Sequence, residues 1–226
     1  MFEAEEETHY LQFKCRLSGE DVDMLCKQNG LDAGKCSLLR SMMAQFAQRT
    51  ALHVYYRIIE KKKILAVMTL GKAADAWCEA FLSEDEIWKG YMADQIAMCA
   101  LRNGYEMLRQ TLQGQYDRAV SNITFWDEEN AGCSLAQSLA FLAQSEVTVS
   151  AGGQLQPLKS VLFSVTILED APKKLTEACG GSLCAGCKNI TCRNRIVDDS
   201  CTSTTCLNGM TSDRQWLPYH KRKDGR

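Results

Sequence analysis

Hydrophobic and polar positions follow two different periods along the first three quarters of the chain. Spacings of three and four residues are typical of amphipathic helices, whereas alternation and short apolar runs rich in β-branched residues are typical of strands. The segments with helical spacing are residues 20–28, 32–50, 71–81, about 83–113 and 134–143. The segments with strand character are residues 10–17, 52–59, 64–70, 120–126, 147–149 and 161–168. This mixed order of helices and hairpins predicts an α+β fold.

The longest predicted helix begins at a capping box formed by Ser83 and Glu86 and extends to about Gln113. Its apolar stripe is expected to lie across the sheet. The stripe residues are Trp88, Tyr91, Gln95, Met98, Leu101, Tyr105, Leu108 and Leu112. Gln95 is interpreted as a hydrogen-bonded core residue, and Gly104 as a point of weakness or of close packing.

Four closely spaced cysteines dominate the last quarter of the chain. They are Cys179, Cys184, Cys187 and Cys192, spaced C-x4-C-x2-C-x4-C. Nearby glycines let the backbone turn so that the sulfurs can converge. Such thiolates can hold zinc, and the first three match a ferredoxin-like spacing for an iron–sulfur cluster. Zinc, a cluster and a reduced tail without metal all stay open, and Cys201 and Cys206 are candidate substitute ligands or a redox pair.

Composition is that of a folded chain with an appendage. Of the 226 residues 46% are apolar, which is enough for a hydrophobic core. Only three are proline, which argues against a disordered chain. Residues 1–172 are predicted to form the α+β domain and residues 173–226 the Cys-rich tail. The net charge of −2 gives no electrostatic reason to expect a nucleic-acid or membrane partner.

The first residues bear on the cellular compartment. They are acidic, where a signal peptide needs a basic start and an apolar run, and no apolar run approaches transmembrane length. A cytoplasmic location with reduced thiols is therefore expected. The cysteines outside the tail are interpreted as small buried side chains rather than as a disulfide framework. They are Cys15, Cys26, Cys36, Cys78, Cys99 and Cys133.

Three segments, taken in their order along the chain, resemble the activation domain of cobalamin-dependent methionine synthase. They resemble more closely the small stand-alone proteins related to that domain. Residues 66–71 read Ala-Val-Met-Thr-Leu-Gly before a helix, and residues 90–94 read Gly-Tyr-Met-Ala-Asp within the long helix. The third segment is Val-Thr-Val-Ser at 147–150 followed by Leu-Gln-Pro-Leu-Lys-Ser-Val at 155–161. The resemblance covers roughly residues 20–195, and many stand-alone members also end in a short cysteine cluster.

The resemblance implies a twisted antiparallel sheet flanked by helices and a role in corrinoid chemistry. In the full-length enzyme this domain binds S-adenosylmethionine and lets an inactivated cobalt centre be remethylated. This chain is accordingly expected to be an accessory protein of corrinoid-dependent methyl transfer that binds or reactivates a cobalamin protein. The alternatives are a non-enzymatic zinc-stabilised binding module that has lost S-adenosylmethionine binding, and an enzyme that uses S-adenosylmethionine as methyl donor.

Residues 122–135 match the family's S-adenosylmethionine loop, and they depart from it. The family carries an Arg before a Pro-Gly-Tyr run there, of which this chain keeps only Gly132. An Arg pairs with the ligand carboxylate and an aromatic ring stacks on the ligand, so their loss predicts weakened binding. The resemblance makes Asn130, Gly132 and Cys133 the candidate cofactor-binding residues.

The sequence offers no signature of a hydrolase or a nucleotide-binding enzyme. The three histidines, His9, His53 and His220, are scattered and stand near no nucleophile motif. Neither a phosphate-binding Gly-x-x-x-x-Gly-Lys run nor a Gly-x-Gly-x-x-Gly run after a strand is present. His53 is therefore interpreted as structural, and no catalytic residue is assigned.

Overall fold

The computed structural model describes the chain over residues 7–60, 62–82, 87–121, 123–125 and 135–168. The helices in these ranges are α1 Gly19–Gln28, α2 Ala33–Arg49, α3 Gly71–Leu82, α4 Ile87–Tyr116 and α5 Leu135–Leu142. The strands in the same ranges are β1 His9–Lys14, β2 Ala51–Glu60, β3 Lys63–Thr69, β4 Ala119–Val120, β5 Thr124–Phe125, β6 Thr148–Val149, β7 Leu155–Gln156 and β8 Ser160–Leu168.

One antiparallel sheet organises these elements. Its strands follow the order β1-β2-β3-β8-β4, and β5 also pairs with β8. Across the three central strands Tyr55 lies opposite Val67, and Val67 lies opposite Leu162. The short strands β6 and β7 pair with each other in a separate antiparallel hairpin. The mixture of helices with an antiparallel sheet confirms the predicted α+β class.

The first two helices begin where the sequence supplies side-chain caps. Ser18 accepts a hydrogen bond from the backbone N–H of Asp21, whose carboxylate accepts one from the backbone N–H of Ser18. Asp32 caps α2 by accepting a 2.8 Å hydrogen bond from the N–H of Lys35. Between the two helices Gly30 has a φ of 59°, a left-handed conformation that glycine adopts without steric cost. A short turn therefore joins α1 to α2.

One face of the sheet carries the larger core, formed with α1–α4. Because side chains alternate along a strand, Val54, Tyr56 and Ile58 of β2 all point to this side and are buried. Gly104 of α4 lies close to Leu52, and a Cβ added to Gly104 would also stand 3.1 Å from the Met68 sulfur. The close-packing interpretation of Gly104 is thus confirmed, since a Cβ there would displace the ends of the buried Leu52 and Met68 side chains.

The opposite face carries a smaller core beneath α5. Leu65, Val67 and Leu162 point to this side and pack with Phe141 and Leu142. Phe141 is fully buried although α5 has only eight residues. Within the described residues this face is covered by one short helix together with Val147 and Leu155, which follow it in the chain.

The predicted apolar stripe of α4 is wrong at two positions. Tyr91 is 46% exposed and Met98 41% exposed, whereas Met92 and Ile96 are buried. Ala93 is also buried, because α3 packs beside α4 and shifts the buried arc by one residue. The rest of the predicted stripe is buried or half-buried. The predicted capping box at residues 83–86 lies outside the described residues.

The predicted strand over residues 120–126 is wrong in its continuity. The chain forms β4 and β5 separately, and both pair with β8. Between them the N–H of Thr166 donates to the Ser121 hydroxyl at 2.8 Å, and the N–H of Ser121 donates to the Thr166 carbonyl at 2.8 Å. A serine side chain thus replaces a backbone acceptor and interrupts the ladder.

The cysteines of the domain divide into two groups. Cys15 and Cys99 are buried free thiols, which confirms the prediction for these two, whereas Cys78 is a free thiol that is only half-buried. Cys26 and Cys36 instead form a disulfide with their Cα atoms 5.8 Å apart, so the prediction is wrong for this pair. The turn between α1 and α2 brings them together, which their ten-residue separation does not reveal. Cys133 lies outside the described residues.

Candidate functional site

Three parts of the chain meet around Lys159, immediately before β8. Asp75 of α3 accepts hydrogen bonds from the backbone N–H of Leu158 at 2.6 Å and of Lys159 at 3.2 Å, one on each carboxylate oxygen. The Lys159 ammonium donates a hydrogen bond to the Asp94 carboxylate of α4. The Lys159 cluster is defined here as Thr69, Asp75, Asp94, Lys159 and Ser160.

A chain of hydroxyl groups connects the cluster to the end of β3. The N–H of Gly71 donates to the Thr69 hydroxyl at 3.1 Å. The Ser160 hydroxyl lies 2.7 Å from the Thr69 oxygen and 2.6 Å from the Pro157 carbonyl oxygen. Since a hydroxyl carries one hydrogen and a carbonyl only accepts, Ser160 donates to Pro157 and Thr69 donates to Ser160. The loop before β8 is therefore held by side chains on three elements.

The ion pair of the cluster is only partly covered. The Lys159 side chain is 17% exposed and the Asp94 side chain 46% exposed. Two large apolar side chains near it are also open to solvent, Leu158 at 56% and Tyr91 at 46% exposure. Tyr91 lies three residues before Asp94 on α4 and so occupies the same side of that helix. This part of the surface combines a charge pair with exposed apolar area.

Cys78 is a free thiol beside the Lys159 cluster, and its surroundings keep it protonated. Its sulfur lies 3.7 Å from the carbonyl oxygen of Ala93. Burial raises its pKa to about 11, opposed by Lys159 and reinforced by Asp94. A thiol with this pKa is almost entirely unionised at neutral pH and is a poor nucleophile. The Lys159 cluster is therefore suited to positioning and binding rather than to nucleophilic chemistry.

A second polar cluster lies on the α5 side of the sheet. The Tyr10 hydroxyl and His53 Nδ1 are 2.8 Å apart, and Glu146 Oε1 lies 3.6 Å from the same nitrogen. Burial, and then the charge of Glu146, raise the pKa of Tyr10. Burial and the charge of Glu146 likewise raise the pKa of Tyr55. These contacts tie β1, β2 and the segment after α5 together, which fits the structural role predicted for His53.

The candidate site residues predicted from sequence lie outside the described residues. These are Asn130, Gly132 and Cys133 for the cofactor, and Cys179, Cys184, Cys187 and Cys192 for the metal. Within the described ranges no group of three or more His, Cys, Asp or Glu side chains is arranged to hold a metal ion. The helices of that same part of the chain include none that is long and apolar enough to cross a bilayer.

Asp75 is the residue of the cluster that the sequence analysis missed. The resemblance pointed to segments containing Thr69, Asp94, Lys159 and Ser160, but not to Asp75. Its only local signal is a single carboxylate among alanines in α3, between Ala74 and Ala76. That pattern is equally typical of an exposed helix position, so only the fold shows that both of its oxygens are occupied by backbone N–H groups.

Comparison with known proteins assigns no family to this chain. No protein-family model matches it, and no curated protein matches it significantly. The resemblance to the methionine synthase activation domain therefore rests on the residues of this chain alone.

Proposed function

We propose that this protein is an accessory protein of corrinoid-dependent methyl transfer, which docks on a cobalamin-carrying protein and helps to restore its cobalt centre to a working state. The supporting observation is the contact among the three segments that resemble the methionine synthase activation domain. Thr69, Asp94 and Lys159 come from different segments and meet in one cluster, although 65 residues separate Asp94 from Lys159. Convergence of the segments supports the resemblance more than any one short motif does.

The partner surface is proposed to be the exposed side of the Lys159 cluster. Leu158 and Tyr91 supply apolar and aromatic area, and the Lys159–Asp94 pair supplies charge beside it. Tyrosine and apolar anchors beside polar groups are the usual composition of protein interfaces. Asp75 accepts a hydrogen bond from the backbone N–H of Leu158 and so fixes the loop that presents this residue. The surface is therefore formed before a partner arrives.

The Cys-rich tail is proposed to hold the inorganic centre of the protein. Its ligands are Cys179, Cys184, Cys187 and Cys192, binding zinc or an iron–sulfur cluster. A cluster would relay an electron towards the partner, whereas zinc would stabilise the tail and help to fix the partner. The zinc form corresponds to the second candidate, a non-enzymatic binding module without S-adenosylmethionine.

The proposal is tested by binding to a defined corrinoid protein. The full chain, purified without oxygen, is titrated calorimetrically into a methionine synthase cobalamin domain loaded with hydroxocobalamin, and into a corrinoid methyl-carrier protein. We expect saturable binding to at least one loaded corrinoid protein and weaker binding to its cobalamin-free form. Absence of heat with both loaded proteins would overturn the proposal.

Metal analysis of the same preparation separates the candidate roles. Iron with equimolar sulfide supports electron relay, and zinc alone supports the binding module. Titration with S-adenosylmethionine tests the enzyme hypothesis, and heat at micromolar ligand would favour it over both. We expect no such heat, because the Arg and Tyr of the family's ligand loop are absent here.

A further inference from the structure

The turn between α1 and α2 holds the bonded sulfur pair found in the described part of the chain. Cys26 lies in the last turn of α1 and Cys36 near the start of α2. Their Cα separation of 5.8 Å is the usual value for a disulfide. Both residues are half-buried, unlike the buried thiols Cys15 and Cys99. The pair is therefore within reach of small molecules in solution.

We propose that Cys26 and Cys36 form a reversible thiol–disulfide exchange site whose reactant is a small-molecule couple such as glutathione and its disulfide. In the oxidising direction one cysteine thiolate attacks glutathione disulfide and releases a glutathione thiolate. The second cysteine thiolate then attacks the mixed disulfide, closes the Cys26–Cys36 bond and releases the second glutathione. The pair loses two electrons to one glutathione disulfide, and its two protons end on the two glutathione molecules.

The fold accommodates both redox states of the pair. The Leu31 carbonyl oxygen lies 3.6 Å from the Cys36 sulfur, so a released Cys36 thiol has an acceptor in place. The N–H of Leu31 donates to the Cys26 carbonyl at 3.0 Å, and the N–H of Asn29 donates to the Leu25 carbonyl at 3.1 Å. These backbone bonds keep the two sulfurs near each other after the disulfide opens. Closure is then an intramolecular step.

The two sulfurs are not equivalent, because they lie at opposite ends of helix dipoles. The positive N-terminal end of α2 favours a thiolate at Cys36, and the negative C-terminal end of α1 disfavours one at Cys26. Each cysteine has a lysine next to it in the chain, Lys27 for Cys26 and Lys35 for Cys36, so these neighbours do not distinguish the two. Cys36 is thus the better leaving group, and an incoming thiolate attacks the Cys26 sulfur.

The state of the pair controls how firmly α1 is held at its C-terminal end. The N-terminal end is fixed because the Asp21 carboxylate accepts hydrogen bonds from Arg102 at 2.8 Å and from Asn103 at 2.9 Å. At the other end the disulfide adds a covalent link to α2. Reduction leaves the backbone hydrogen bonds, the 2.9 Å bond that the Asn29 side chain donates to the Leu25 carbonyl, and the buried Leu25 side chain. Local opening of the end of α1 should become easier without that covalent link.

The exchange itself is tested by mass spectrometry across a series of glutathione to glutathione disulfide ratios. Trypsin cleaves after Arg16, Lys27, Lys35 and Arg40, which places Cys26 and Cys36 in separate peptides. We expect a linked pair of peptides, residues 17–27 and 36–40, whose fraction rises and falls reversibly with the ratio, while Cys78 stays alkylatable throughout. Full alkylation of both cysteines at every ratio, or linkage of either to a tail cysteine, would overturn the proposal.

Two single variants test the asymmetry without changing the fold much, since serine is nearly the same size as cysteine. Cys26→Ser should form a glutathione mixed disulfide at Cys36 at least threefold faster at pH 7 than Cys36→Ser does at Cys26. Equal rates would contradict the helix-dipole argument.

Hydrogen exchange of the full chain supplies the structural readout. Amides of residues 26–31 should exchange severalfold faster after reduction, with β3 unchanged. Identical exchange in both states would show that the disulfide does not control the opening of α1.

Discussion

The two faces of the sheet differ in the size of their cores and in what lies beside them. The α1–α4 face is covered by long helices over a continuous apolar core, whereas the α5 face is covered by one short helix. His53, Thr69 and Ser160 lie in one row across β2, β3 and β8 on the α5 face. The Lys159 cluster nevertheless draws on both sides, because Asp75 of α3 and Asp94 of α4 join it from the α1–α4 face. One face therefore carries most of the core, and the candidate site is built from groups on both faces.

The largest change in the free energy of unfolding is expected when a buried Phe is replaced by Ala, and the same substitution can be made on both faces. Phe163 faces α4, with its ring 5.1 Å from that of Tyr105, and Phe141 belongs to α5; both are fully buried. Phe163→Ala should lower the free energy of unfolding by about 3–5 kcal/mol, and Phe141→Ala by about 3 kcal/mol or less because the short helix can settle into the cavity. Urea denaturation measures both, and an equal or reversed order would contradict the difference between the faces.

A second comparison concerns two glycines of α4. Gly104→Ala should cost about 1–3 kcal/mol, because its methyl group would overlap Leu52 of the sheet. Gly114→Ala is the control: nothing lies within 4 Å of a Cβ there, so higher helix propensity should stabilise by up to about 1 kcal/mol. Thermal melts followed by circular dichroism measure both changes. A neutral Gly104→Ala would mean that α4 does not press on β2 as described.

A smaller effect is expected at the Lys159 cluster. Asp75→Ala removes the acceptor for two backbone N–H groups and should cost about 1–2 kcal/mol. The matched control is Asp23→Ala, where the carboxylate is 79% exposed and 3.9 Å from Arg40, so the change should stay within about 0.5 kcal/mol. Urea denaturation measures both. Equal costs would show that the loop before β8 does not depend on Asp75.

The smallest effect concerns the Cys78 thiol and its pH dependence. Burial raises its pKa above the ordinary thiol value to about 11, so the folded state holds the proton more tightly than the unfolded chain. Stability should therefore fall as pH rises from about 9 to about 11, and Cys78→Ala should flatten that slope. Denaturation at stepped pH values measures the slope. Equal slopes for the wild type and the variant would show that burial does not raise the pKa of Cys78.

Local signals were enough to predict much of the domain. Helical spacing of apolar residues predicted α2 over residues 32–50, and it forms at Ala33–Arg49. The charged turn between two β-branched runs predicted the β2–β3 hairpin, which the register confirms. These features depend on neighbouring residues, so a single sequence contains them.

Features that depend on tertiary contacts were missed. The exposed side of α4 at Tyr91 and Met98 follows from where α3 packs, and the Cys26–Cys36 bond follows from the turn between two helices. Asp75 resembles any exposed helix carboxylate until the loop before β8 folds onto it. The ligand and metal residues of the tail and of the 122–135 loop remain predictions from spacing and resemblance.

The proposed partner surface, the exposed side of the Lys159 cluster, is expected to bind a corrinoid protein. The most direct measurement is the dissociation constant of the loaded complex for Lys159→Met beside Lys14→Met, which removes an equal charge from an exposed position on β1. We expect at least tenfold weaker binding for Lys159→Met, about 1.4 kcal/mol, and less than twofold change for Lys14→Met. Equal affinities for the two folded variants would contradict it.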